Sequence, residues 1–364
     1  MKMIKFLITL IMILFVFLFT IFFYDLIENY KKEDEEPETI AVMQEVIRPI
    51  SINEEIKESE PLLIEPIEEQ QYEQRNLNIS YDKFYHSQLD DYSKLIYQAL
   101  QNNKDLLKNG NEVINLSSKI GEGLENGANI EAIFSVAVNA FENDNPDVFY
   151  LDSSKLVLYY EKSSLGKYKF YLKNDEEYSN YLVDGFRSRA DVDNAQSQIN
   201  NVTASIISNA NTKNSDYEKI KYIHDWLAEN TKYDESLNNA NKDSIYGTFI
   251  EKEAVCGGYS KAFKYLLDKL NIKCIIVQGI GTTETAQENH AWNYVSLNDK
   301  WYGIDCTWDD PIIVGDLRNY TEQKYYTYFL KGQNVFIEGH QPFNTFYGTN
   351  LAISYPKLST EDYN

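Results

Sequence analysis

Positive charge is scarce in this 364-residue chain: 34 Lys and Arg stand against 56 Asp and Glu, for a net charge of -22. A protein that binds nucleic acid needs a basic face to neutralise phosphates, so that class is excluded as a general function. Cysteine is rarer still, with three residues at positions 256, 274 and 306. An odd, small number without a short repeated spacing is neither a disulfide framework nor a zinc site. At least one thiol is therefore unpaired within a monomer. Internal repeats are lacking as well. What is present in quantity is apolar and aromatic surface: 43% hydrophobic and 25% charged residues describe a folded globular protein.

The first segment is the exception to the scattered apolar pattern. After Lys2 and Lys5, residues 6–24 run from Phe6 to Tyr24 without a charge. As a helix this run reaches about 28 Å, close to the ~30 Å hydrocarbon core of a bilayer. A cleaved signal peptide would have a shorter apolar region and small residues at the cut, whereas this run ends Ile21-Phe22-Phe23-Tyr24-Asp25. No cysteine follows to carry a lipid. The segment reads as an uncleaved single-pass anchor, with residues 1–5 cytoplasmic and the bulk of the chain outside the membrane. Residues 25–79 follow as an acidic stalk. They hold about half of the excess negative charge, and Pro37, Pro49, Pro61 and Pro66 lie among them.

From residue 80 the texture changes. Tyr92, Leu95, Ile96, Ala99 and Leu100 keep helical spacing, as do Val192, Ala195, Ile199, Val202 and Ile206. Ile130 to Phe141 reads as a helix, and Leu156 to Tyr160 and Tyr168 to Leu172 as strands. Residues 80–210 form an α+β region without evident chemistry, and residues 211–364 a second domain. That domain opens on a helix near Asp216 whose apolar face is Ile220, Ile223 and Leu227.

Cys256 stands in Ala254-Val255-Cys256-Gly257-Gly258-Tyr259-Ser260, followed by the helical stripe Ala262, Phe263, Leu266, Leu267 and Leu270. This places the thiol in the first turn of a buried helix, where open N–H groups and the positive dipole end favour a thiolate. Gly257 and Gly258 lack side chains and let a substrate backbone approach the sulfur. His290 begins the strand His290 to Leu297. A two-residue turn at Asn298-Asp299 leads into Lys300 to Asp305. With that turn, Leu297 pairs with Lys300 and Trp292 with Asp305, which puts Asp305 on the face of His290. A nucleophile, a base and a carboxylate that orients the base then meet. Cys274 and Cys306 read as core, and His86, His224 and His340 need no catalytic role. Asp309 and Asp310 read as a loop-fixing segment rather than a calcium site, and no cofactor or metal is called for. Trp226 or Tyr246 could donate to an oxyanion beside the Cys256 N–H, and Trp292 borders the same site.

The pattern Val255-Cys256-x-Gly258-Tyr259-Ser260, then His290-Ala291-Trp292-Asn293, then Trp301-Tyr302-x-x-Asp305-x-Thr307-Trp308-Asp309-Asp310-Pro311 resembles the bacterial transglutaminase-like superfamily. Ile223-His224-Asp225-Trp226-Leu227 and Lys232-Tyr233-Asp234 resemble the opening of that domain. Asp144 to Tyr150 resembles a region that accompanies it. Gly257 departs from the pattern, since related sequences often carry Glu there. The resemblance implies an α+β, papain-like core in which a helix carrying Cys256 packs on an antiparallel sheet carrying His290 and Asp305. It also implies a thioester-forming cysteine enzyme, either hydrolase or acyltransferase, acting on peptides, surface proteins or cell-wall peptides. A catalytically idle binding module in the cell envelope is the alternative.

Overall fold

The computed structural model describes residues 41–49, 79–283, 286–310 and 326–364. The anchor expected over residues 6–24, most of the stalk and Pro311 lie outside these residues. No helix among the described residues is long and apolar enough to cross a membrane. The chain divides into a small unit, residues 1–44 with 161–168, and a large one, residues 45–160 with 169–364. In the small unit, residues 161–168 are the turn end of a hairpin. All that follows concerns the large unit.

In chain order the strands are β1 (Ala41–Ile47), β2 (Ile114–Leu116), β3 (Leu156–Ser163), β4 (Tyr168–Asn174), β5 (Lys232–Tyr233), β6 (Glu253–Ala254), β7 (Cys274–Thr282), β8 (Gln287–Leu297), β9 (Lys300–Ile304) and β10 (His340–Pro342). The helices are α1 (Asp91–Asn102), α2 (Lys104–Leu107), α3 (Ile120–Glu125), α4 (Ile130–Asp144), α5 (Arg189–Ala210), α6 (Asp216–Asn230), α7 (Cys256–Lys269) and α8 (Gln333–Phe336). The long helices start where their side-chain caps stand. Asp90 accepts from the N–H groups of Tyr92 and Ser93, Asn129 from Ala132, Ser188 from Asp191 and Ser215 from Glu218. Each such cap contributes about 1 kcal/mol by satisfying an N–H that the helix cannot.

The expected helices at 91–102, 130–144, 189–210 and 216–230 are present, as are the strands near 156 and 168. In α4 burial runs almost around the helix, from Ile133 and Phe134 to Phe141 and Asp144, because α1 covers one side and the cleft described below borders another. Asp144 ends this helix as a clamp. One carboxylate oxygen accepts the Tyr85 N–H at 3.1 Å, and the other accepts the His86 N–H at 2.9 Å and the Tyr97 hydroxyl at 3.2 Å. The resulting turn lets Tyr85 donate to Ile276 O on β7 at 2.9 Å, which ties the N-terminal region to the second sheet.

That second sheet is antiparallel, in the order β10-β7-β8-β9. Asn298 and Asp299 both take positive φ, 52° and 60°, as a two-residue hairpin turn demands. Leu297 is therefore opposite Lys300 and Asn293 opposite Ile304, and Asp305 follows just past the end of β9. Helix α7 lies on this sheet through fully buried Tyr259, Phe263, Leu266 and Leu267. Burying each of these apolar side chains is worth about 1.5–3 kcal/mol. Asn293 on β8 donates to Ser260 O at 3.1 Å and fixes the height of the helix on the sheet. Mixed helix and antiparallel sheet is thus the architecture, as expected from the chain.

Candidate active site

Cys256 is the first residue of α7. Val255 before it is extended and gives no side-chain cap. Strand β6 holds that start in place by pairing parallel to β5, with Tyr233 opposite Ala254. The segment before it also packs close. Val255 N donates to Lys242 O at 3.0 Å, and a Cβ on Gly258 would lie 2.4 Å from that same oxygen. A Cβ on Gly257 would meet Asp243 Oδ1 at 2.6 Å, so this loop carboxylate occupies the space beside the nucleophile turn. Glycine at 258 is a packing requirement against fixed backbone, whereas at Gly257 the close neighbour is the Asp243 side chain, which lines the cleft with it.

His290, 3% exposed, projects from β8 and meets Asp305, 1% exposed, just past β9. His290 Nε2 lies 2.7 Å from Asp305 Oδ2. That leaves Nδ1 free of the carboxylate, and Cys256 is near enough to add to the pull on the ring's proton. Asp305 cannot swing away, because its Oδ1 accepts the N–H groups of Thr307 at 2.9 Å and Trp308 at 3.2 Å. Trp308 stacks on the imidazole with centroids 4.6 Å apart and planes 20° from parallel. A cation against an aromatic face is favoured, all the more in a dry site.

Burial alone would depress the His290 pKa. The Asp305 charge and hydrogen bond and the Cys256 sulfur outweigh it and raise it to about 10. Burial likewise opposes the charge on Asp305, yet His290 and His340 hold its carboxyl below the usual range. The other two thiols sit differently. Cys274 and Cys306 are buried, and burial drives both well above the ordinary thiol value. Cys256 is the half-buried one and lines a cleft of about 290 Å³.

One wall of that cleft comes from α7 and β8. The other is α4, through Ser135, Val138, Asn139 and Glu142, with Asn139 donating to Gln278 Oε1 of β7 at 3.1 Å. Residues 80–210, which carry no chemical motif, therefore shape the cleft. Of the residues expected to touch substrate, Gly257 lines it. Gly258, Trp292, Tyr246 and Trp226 do not. Trp292 is 1% exposed behind His290 and His340. Tyr246 stacks on Phe149 and meets Phe186 edge-on, and Trp226 packs on Phe249 with the Lys252 ammonium over its ring.

Two side chains near the reacting atoms escaped the sequence reading. Tyr233 is half-buried on β5, opposite Ala254, and burial followed by the charge of Cys256 raises its phenol pKa, so the hydroxyl keeps its proton. The second is His340, whose Nε2 lies 2.9 Å from Asp305 Oδ2. Neither has a local signal, since strand pairing alone brings Tyr233 to Cys256 and β10 to β7.

A helix-borne thiol, a strand-borne imidazole and a buried carboxylate 2.7 Å from that imidazole thus lie together at the cleft. Residues 201–306 match the model of the transglutaminase-like superfamily. The chain is 26% identical over 160 residues to kyphoscoliosis peptidase of Mus musculus and 25% identical over 161 residues to that of Homo sapiens. Each match covers 41% of this chain and 24% of the relative, so the chain spans about a quarter of the length of the curated relatives it matches. A crystal structure of a TGase is similar at 19% identity and a TM-score of 0.31, covering 46% of this chain and 47% of that one.

Proposed function

We propose that this protein is a membrane-anchored, extracytoplasmic cysteine enzyme that cleaves or exchanges peptide or isopeptide amide bonds through a thioester. The observation that carries this reading is the line Cys256–His290–Asp305, with its 2.7 Å contact between base and carboxylate, opening on a polar cleft. The Cys256 sulfur attacks the amide carbonyl carbon while the proton it gave up sits on His290 Nδ1. The oxyanion is met by the backbone N–H of Cys256, which no side chain caps, and by the Tyr233 hydroxyl. As the C–N bond breaks, His290 passes its proton to the leaving amine, and a thioester remains. Water or an amine then attacks the thioester, His290 accepts a proton from that attacker, and Cys256 is restored.

Hydrolysis gives a peptidase or amidase, and attack by a lysine amine gives a cross-link. The name of the matched relatives, a peptidase, supports the hydrolytic outcome. The uncharged run of residues 6–24 and the acidic stretch after it support an anchor with the site outside, facing surface proteins or wall peptides. Protease added to intact cells tests this placement by releasing a fragment that contains Cys256. Full protection of that fragment, or a mature protein starting near residue 25, contradicts it. Incubating the released domain with peptide and wall-fragment libraries, followed by mass spectrometry of trapped thioesters, tests the chemistry. A library that leaves no acyl group on Cys256 while the fold is intact counts against it.

A further inference from the structure

Asp305 Oδ2 accepts from two rings at once, His290 Nε2 at 2.7 Å and His340 Nε2 at 2.9 Å. His340 arrives from outside the matched family segment, as the first residue of β10, opposite Gly281 on β7. The approach depends on two glycines of that strand. A Cβ on Gly281 would lie 2.9 Å from both His290 Cβ and the Trp308 ring, and one on Gly279 would lie 2.6 Å from the Trp292 ring and 2.2 Å from Gln341 O. His340 is fully buried and held by more than the carboxylate. Its ring stacks on Phe336 at 4.1 Å, meets Trp308 at 4.5 Å, and puts Nδ1 3.2 Å from Phe336 O.

We propose that His340 is a positioning residue of the reaction: its Nε2–H shares Asp305 Oδ2 with His290, fixing the oxygen that aligns the base and dividing its charge between the two rings. The inference rests on Cys256, His290 and Asp305 being the reacting set. The carboxylate carries no proton to give, so each Nε2 facing it carries one, and on His340 the 3.2 Å contact of Nδ1 with Phe336 O is then a hydrogen bond only when the ring is the cation. With Thr307 and Trp308 on Oδ1, Asp305 accepts four bonds and has one orientation. The three groups are near enough together to suggest a cation site. Both rings, however, aim Nε2 at one oxygen at hydrogen-bond length, which is an arrangement of shared protons. The titratable groups facing His340 are Asp305, His290 and Tyr328, and the remaining neighbours are Trp292, Trp308 and Phe336.

The test uses labelling of Cys256 by iodoacetamide as a function of pH, which needs no substrate. His340→Phe keeps the aromatic packing and removes the donor. Its plateau rate should fall severalfold, because a thiolate held at lower pKa is a weaker nucleophile. Asp305 then gives its charge to His290 alone, so the onset of labelling should move to lower pH. His340→Gln, whose amide Nε2 can reach the same oxygen, should restore both rate and onset. A purely structural role moves melting temperature but neither of these. His340→Phe with unchanged rate and onset overturns the proposal. Should His340→Phe not fold, histidine-selective ¹⁵N spectra of the unaltered protein decide: a protonated Nε2 on His340 at neutral pH is expected, and an unprotonated one overturns it. His290→Ala labelled as fast as wild type would instead sink the underlying assignment of the base.

Discussion

Of the buried histidines among the described residues, His224 and His290 differ most in what lies on the far side of the ring. His224, fully buried in α6, has Asp225 Oδ1 at 3.1 Å from Nδ1 and Asp309 Oδ2 at 3.1 Å from Nε2. Both nitrogens are occupied by carboxylates. His290 has one carboxylate and one sulfur, and the sulfur borders a cleft. Burial opposes the cation in each, and in each the neighbours win and raise the pKa. Perturbed titration is therefore common to both and cannot mark the reactive site. His224 acts as a tie. Through it α6 holds Asp309, which in turn accepts the Tyr328 N–H at 3.0 Å and so fixes the segment that leads to His340. Burial pushes the Asp309 carboxyl up to about 6 against the pull of His224 and that N–H.

Substitutions can pull the two sites apart. Cys256→Ala should abolish the covalent step, read as loss of acyl-enzyme by mass spectrometry. Adding Asp305→Asn to it should cost nothing further, because the residues act as one unit. Asp305→Asn alone should cost on the order of 10²–10⁴ in turnover with the fold retained, by disturbing the tautomer and the imidazolium. Tyr233→Phe should lower turnover by on the order of 10² while leaving iodoacetamide labelling unchanged, since alkylation forms no oxyanion. If labelling falls equally, Tyr233 shapes the pocket instead.

Asp309→Asn reverses the pattern. It leaves a buried His224 cation short of one partner and should cost about 3–5 kcal/mol in denaturant unfolding, with little loss of rate per folded molecule. A large rate loss without destabilisation would move the orienting role from Asp305 to Asp309.

The smallest effect is in pH. The folded-state His290 value of about 10 lies above the ordinary ~6.5. Its cation therefore contributes stability that is complete below about pH 6.5 and is lost as pH rises through about 10. Thermal melts of wild type and Asp305→Asn should converge across that window. A constant gap would mean that His290 is neutral throughout.

How far the chain discloses this site follows from how local each contact is. Cys256 is legible because the apolar stripe from Ala262 to Leu270 starts a helix there. Asp305 is legible because Asn298-Asp299 admits a two-residue turn, and alternation then sets its face. His340 is not, since nothing near Gly339-His340-Gln341 tells that β10 will pair with β7. Trp292 and Trp226 show the opposite error. Aromatic residues beside a motif suggest a binding platform, but the core takes Trp292, and Trp226 packs half-buried on Phe249 under the Lys252 ammonium. The cleft wall from α4 is equally silent in sequence, being fixed by contacts such as Asn139 with Gln278 across distant segments.

The most direct measurement compares the two histidines through the thiol. Sub-stoichiometric iodoacetamide near neutral pH, followed by peptide mapping, should label Cys256 and spare buried Cys274 and Cys306. His290→Ala should slow that labelling, and His224→Gln should leave its rate per folded molecule unchanged. Equal labelling of the three cysteines, labelling only after denaturation, or an equal slowing by His224→Gln would contradict the account.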